Sequence, residues 1–106
     1  MRNQQSRLSV TAEIQIKDNV TLEDGLLEIQ QFCIDMNSEE GCLLAIAHQD
    51  TENPRKIKLW EIYKDAAAFQ AHFESAHTQA FFAKGITSLN WANESYPLAI
   101  TEGVDK

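Results

Sequence analysis

Polar and apolar positions divide the chain into segments of two periods. From Leu8 to Lys17 they alternate: Leu8, Val10, Ala12, Ile14 and Ile16 are apolar, and Ser9, Thr11, Glu13, Gln15 and Lys17 lie between them. A period of two puts the first set on one face of a strand and the second set on the other. Asp18-Asn19 turns the chain. Thr21 is placed to cap a helix whose first turn carries Glu23 and Asp24, where the helix dipole favours negative charge. Leu22, Leu26, Ile29, Cys33 and Met36 then recur at three and four, one apolar stripe on a helix predicted to run to about Asn37.

Ser38-Glu39-Glu40-Gly41 breaks that helix, and Cys42 to Gln49 is an apolar run short enough to be a strand. Asp50 to Pro54 is a loop by composition. In the strand predicted from Lys56 to Lys64, Ile57, Leu59 and Tyr63 point one way while Trp60 and Ile62 point the other. Helices can cover only one of these faces, so the opposite face needs another chain, most simply a second copy. Asp65 caps Ala66 to Glu74, where Phe69 and Phe73 stack at i, i+4 with His72 on the same side. Ser75 ends that turn and can cap a further helix predicted from Ala76 to about Leu89, with Thr78, Phe82, Ile86 and Leu89 on one face and Phe81 and Gly85 beside it. Asn90 to Asn93 is read as a connection, and Glu94 to Glu102 as a last strand, with Pro97 suggesting a sheet edge. The order predicts an α+β, ferredoxin-like split βαβ domain: an antiparallel four-stranded sheet backed by helices on one face.

At 106 residues the chain fits one domain, 1–106, with 1–7 a polar lead-in. Nine Lys and Arg against sixteen Asp and Glu give a formal charge of -7, which argues against nucleic acid and anionic membrane surfaces as partners. The longest apolar run, Leu43 to Ala47, is far too short to span a bilayer. Alternating residues follow the N-terminal Arg2 and Arg7 where a signal peptide has a continuous apolar core, so a cytoplasmic protein with reduced thiols is expected. Cys33 and Cys42 form no CxxC pair, and their apolar neighbours argue against a catalytic thiol.

His72 is the candidate base, since imidazole changes charge near neutrality; its alternative role is a bond to Glu61 that pins helix to sheet. Glu61, in an apolar strand, needs a donor, from His72 or the neighbourhood of Tyr63. Tyr63 can bond a substrate oxygen or simply pack. His77 can reach a cavity mouth or lie in solvent, and His48 is weaker still. His48, His72, His77, Glu61 and Cys42 show no metal-ligand spacing, and no Gly-rich strand-to-helix turn is present to hold a flavin, so neither metal nor cofactor is expected. Trp60, Trp91, Phe81 and Phe82 can stack on a planar substrate or serve as core or dimer contacts.

The stretch from Trp60 to Phe82 carries Glu61-x-Tyr63-x-Asp65 and then Phe69-x-x-His72-x-x-Ser75-x-His77-x-x-x-Phe81. Taken whole, this spacing resembles the signature of the antibiotic biosynthesis monooxygenase family. Leu8 to Ile14 and Glu40-Gly41-Cys42 resemble the family's first strand and the entry to its second, so the likeness covers nearly the whole chain. The resemblance implies a homodimer paired through the sheet face into a dimeric α/β barrel, with an apolar cavity between sheet and helices. It also implies a range of chemistries. The leading expectation is cofactor-free oxidation of a small phenolic, quinol or polyketide-like aromatic by O2. In that reading His72, Tyr63 and Glu61 are catalytic, and Trp60, Phe69, Phe73, His77, Phe81, Phe82 and Trp91 contact the substrate. Alternatives are an isomerase of a small hydroxy-ketone and a non-oxidative binding or stress-response dimer. The haem-degrading branch fits poorly: its axial histidine falls where this chain has Phe82, and its strand asparagine is missing from Leu8 to Ile16.

Overall fold

The computed structural model describes residues 7–98. The elements run β1 (Leu8–Ile16), α1 (Leu22–Asn37), β2 (Cys42–Gln49), β3 (Lys56–Tyr63), α2 (Ala66–Glu74), α3 (Ala76–Lys84) and β4 (Thr87–Ser95). The strands form one antiparallel sheet in the order β2-β3-β1-β4, the ferredoxin-like arrangement, with the helices on one face. All five alternating apolar residues of β1 are buried, together with Ile57, Leu59 and Tyr63 of β3.

Local chemistry sets most boundaries. Thr21 Oγ1 accepts a hydrogen bond from Asp24 N at 3.2 Å to start α1, and Asp65 accepts from Ala68 N at 2.8 Å to start α2. At the far end of α1, the Asn37 amide donates to Cys33 O and Ala45 O and accepts from Ala45 N, tying the helix end to the edge strand β2. Gly25 lets α1 lie close on β1, since a Cβ there would stand 2.7 Å from Ile16 Cγ2. The predicted stripe omits the most consequential residue of α1: Phe32 is buried and stacks on Phe81 of α3 with ring centroids 4.2 Å apart, whereas Leu22 and Leu26 are only partly buried.

Three boundary expectations are corrected. The last helix stops at Lys84 rather than near Leu89, because Gly85 takes the left-handed conformation at φ 61 and its N–H closes on Phe82 O. Ile86 and Leu89 therefore share no helical face with Phe82. The last strand begins at Thr87, not Glu94, and takes in the Asn90 to Asn93 segment read as a connection. Pairing with the open edge of β1 overrides the polar composition there, and residues 99–102 of the expected strand lie outside the described residues. Ser75, finally, does not cap α3 through its side chain: its hydroxyl donates to His72 O at 2.8 Å and shares a hydrogen bond of 2.8 Å with the Thr78 hydroxyl.

Two bulges aim side chains. Between β1 and β4 the register runs Ile14 with Leu89 and then Glu13 with Trp91, so Asn90 is the extra residue, and its amide donates to Glu13 Oε2 at 2.7 Å. Leu89 and Ala92 thereby both face the helices. Leu43 is the extra residue of β2 against β3. On the face away from the helices lie Leu44 and Ile46 of β2, Trp60 and Ile62 of β3 and Trp91 of β4, and Trp60 keeps 52% of its surface exposed.

Candidate active site

Between the inner sheet face and the helices lies a cavity of about 260 Å³. Its walls are apolar: Val10, Ala12, Ile14 and Leu59 from the strands, and Phe32, Phe69 and Phe81 from the helices. Phe73, Phe82 and Leu89, all substantially exposed, flank its mouth. Among the described residues only Glu61, His72 and Thr87 bring polar side-chain atoms to the lining, so any ligand would meet a hydrophobic chamber with few orienting groups.

His72 is 4% exposed, and its ring is packed among Phe32, Tyr63, Phe69 and Phe73. Its Nδ1 lies 2.9 Å from Glu39 Oε2 and 3.2 Å from Thr78 Oγ1. Those partners occupy Nδ1 and leave Nε2, across the ring, for the cavity. The Glu39 carboxylate favours the tautomer with its N–H at Nδ1, and in that tautomer Nε2 carries the free lone pair. Glu39 reaches this position because Gly41, two residues on, allows the turn to approach α2: a Cβ at Gly41 would collide with Ala68.

Glu61 and Tyr63 form a second pair. The Tyr63 hydroxyl donates to Glu61 Oε1 at 2.7 Å, and the tyrosine is fully enclosed. Burial raises the Glu61 carboxyl above the ordinary carboxylate range; the Tyr63 hydrogen bond and the His72 ring oppose this, and Glu39 adds to it. Burial, then the neighbouring Glu61 charge, pushes the Tyr63 phenol far above its usual range, so it remains a donor. Burial also pushes both thiols, Cys33 and Cys42, up to about 11, which keeps them protonated and poor nucleophiles near neutrality.

The structure brings together His72, Glu61, Phe69, Phe73, Phe81 and Phe82 around one chamber and separates the other predicted residues from it. Tyr63 does not line the chamber; its hydroxyl serves Glu61, so the expected direct bond to a substrate oxygen is replaced by positioning of the carboxylate. Trp60 and Trp91 lie on the opposite face of the sheet, because period-two alternation turns them away from Leu59, Glu61 and Ala92. His77 also stays off the lining: its Nε2 is 2.5 Å from the same Glu39 oxygen that meets His72. The expected His72 to Glu61 bond is absent among the described residues, since each has another partner. Glu39 and Thr78 were not anticipated. Glu39 sits 33 residues before His72 in a segment legible only as a helix break, and no local spacing marks it. No metal-ligand spacing was found either, yet Glu39, His72 and His77 converge with their ligand atoms within 4.8 Å of one another.

An α+β subunit of this topology, with an apolar chamber under its helices and a Glu39-paired histidine at the wall, has the ferredoxin-like fold. The model of the antibiotic biosynthesis monooxygenase family matches residues 8–84, and the chain belongs to that family. The chain is 30% identical over 86 residues to the uncharacterized protein YjcS of Bacillus subtilis (strain 168), covering 81% of this chain and 82% of YjcS. The solved structure of a YjcS protein superposes with a TM-score of 0.80 at 29% identity, covering 88% of this chain and all of that one. A Chloroflexus aurantiacus protein named for the same monooxygenase family superposes at 0.74 with 20% identity over 89% of this chain and 95% of its own, a likeness of fold.

Proposed function

We propose that the protein is a cofactor-independent monooxygenase that oxidises a small phenolic, quinol or polyketide-like aromatic with O2, working as a homodimer paired through the open sheet face. The observation that carries this reading is His72 at the wall of an apolar chamber with its Nδ1 2.9 Å from Glu39 Oε2, a contact that favours Nε2 as the base. Dioxygen reacts with electron-rich carbanions and phenolates, so the protein's task is to deprotonate the substrate and exclude water while the anion forms. A chamber of about 260 Å³ is smaller than the roughly 300–1,000 Å³ of most ligand sites, which suits a small planar ring held among the phenylalanines.

For a substrate methylene beside an aromatic ring, His72 Nε2 takes one proton. The carbanion gives an electron to O2, and the resulting radical pair joins as a C–O–O⁻ group. The imidazolium returns its proton to the distal oxygen. Loss of the second C–H proton with cleavage of the O–O bond leaves a carbonyl and one water. One oxygen atom enters the product and the other leaves as water, so no external reductant is consumed. Glu61, held by Tyr63 and raised in pKa, can hydrogen-bond the oxyanion on the ring.

Oxygen uptake by metal-free protein over a panel of quinols and anthrones tests the reading. Uptake without added cofactor that falls about 10²- to 10⁴-fold in His72→Ala supports it, that being the usual contribution of a positioned base. No uptake across the panel, or uptake indifferent to His72, overturns it. The presence of both His72 and Glu61 on the lining also favours a second reading, an isomerase that moves a proton on a hydroxy-ketone. Turnover without oxygen would select it.

A further inference from the structure

The Glu39, His72 and His77 side chains meet from three different parts of the fold: the turn after α1, the last turn of α2, and the first turn of α3. Two imidazole nitrogens converge on one carboxylate oxygen, and the three ligand-capable atoms lie within 4.8 Å of one another. Two histidines and one carboxylate are the donor set of many zinc sites and of other borderline divalent transition ions; magnesium and calcium require oxygen ligands instead.

We propose that Glu39, His72 and His77 form a binding site for a divalent transition cation of the zinc type, and that cation binding and use of His72 as a base exclude each other.

The geometry is close to what such an ion needs. Around a tetrahedral zinc with bonds near 2.0–2.1 Å, neighbouring ligand atoms stand roughly 3.3 Å apart. The two carboxylate-to-nitrogen distances, 2.9 and 2.5 Å, lengthen to that value if the Glu39 carboxylate swings back slightly, and the two nitrogens, already within 4.8 Å of each other, close on the ion between them. Each imidazole then shifts its N–H to the far nitrogen and offers the ion a lone pair. Three protein ligands leave a fourth position for water, and the Thr78 hydroxyl, 3.2 Å from His72 Nδ1, is placed to hydrogen-bond it.

Access and charge agree with a cation. His77 forms part of the wall of a small surface cleft of about 100 Å³ on the other side of Phe32 and Phe81 from the main chamber; its rim carries Asp35 and a Glu28 that is paired with Lys84 at 2.7 Å. Glu40 adjoins Glu39 in sequence, and the chain carries a formal charge of -7. An ion can therefore arrive from the solvent side at His77 without passing through the apolar chamber.

The chemical consequence concerns His72. Without metal, Glu39 holds the proton on Nδ1 and Nε2 is free to accept one. With metal on Nδ1, Nε2 carries the proton and His72 no longer acts as a base toward the chamber. The exclusion rests on the base reading above; the site itself does not.

The test uses untagged protein stripped by chelator. Binding of Zn²⁺ is followed by calorimetry, and binding of Co²⁺ by its visible ligand-field absorption. One ion per chain is expected, with affinity at least 100-fold lower in His77→Gln and in Glu39→Gln, and with folding checked by circular dichroism. His77 lies at the surface, so its variant remains informative if the Glu39 variant is unstable. No stoichiometric binding, or binding that both folded variants retain, overturns the site. Oxygen uptake is measured separately on the stripped protein and after Zn²⁺ loading. Uptake abolished by Zn²⁺ in the parent but not in His77→Gln supports the exclusion, whereas undiminished uptake at full occupancy overturns it. Stripped protein that binds Zn²⁺ but takes up no oxygen refutes the base reading and leaves the site standing.

Discussion

The two faces of the sheet come from the same four strands, and the chain treats them differently. Inward-facing Val10, Ala12, Ile14, Ile57 and Leu59 are buried by this chain's own helices, which close over them and leave one chamber. Outward-facing Ile46, Trp60 and Trp91 are covered by no helix among the described residues and remain substantially exposed. A polar band crosses that outer face, where Lys58 lies 3.3 Å from Asp50 and 3.9 Å from Glu13. Apolar groups threaded by a few charges are the mixture found at protein interfaces, and family members are commonly dimeric. Burial within one chain thus builds the chamber on one face and leaves the other as the surface through which the proposed homodimer would pair.

The strongest way to break this contrast is to open the covered face. Phe32→Ala removes the ring that stacks on Phe81 and forms part of the chamber wall. It is expected to cost about 3–5 kcal/mol in urea unfolding, and a cost below about 1 kcal/mol would show that the helices are not held by this contact. Gly25→Val sets methyl groups against Ile16, and overpacking there should cost about 1–3 kcal/mol by the same measurement. On the open face, Trp60→Glu should leave the secondary structure intact while raising the dimer dissociation constant at least about tenfold, or about 1.4 kcal/mol, in sedimentation. An unchanged association state would remove the outer face as the interface.

The smallest effect sharpens the electrostatic side of the contrast. The folded Glu61 carboxyl binds its proton more tightly than the unfolded one, so this contribution to stability is full below the ordinary carboxylate range and is lost as pH rises through the raised folded value. Glu61→Gln cannot lose a proton. Its melting temperature should therefore gain on the parent's as pH rises from about 4 to about 8, where carboxylates deprotonate. A difference that does not vary with pH would mean that Tyr63 and His72 fully compensate the burial of the charge.

Much of this molecule was determined by local sequence. The alternation of β1, the Thr21 and Asp65 caps, and the opposite directions of Leu59 and Trp60 follow from strand and helix periods and from the hydrogen bonds that short polar side chains can make. Tertiary pairing decided the rest. β4 begins at Thr87 because the edge of β1 was open and a left-handed glycine had already ended the helix, so a polar segment became a strand. Glu39 met His72 and His77 because a turn packs on α2 where a glycine leaves room, and Tyr63 gave its hydroxyl to Glu61 because both lie enclosed on one strand. Periodicity reports which face a residue takes. The partner it meets across many residues of chain is chosen by packing and by the requirement that buried polar groups be satisfied, which no local pattern encodes.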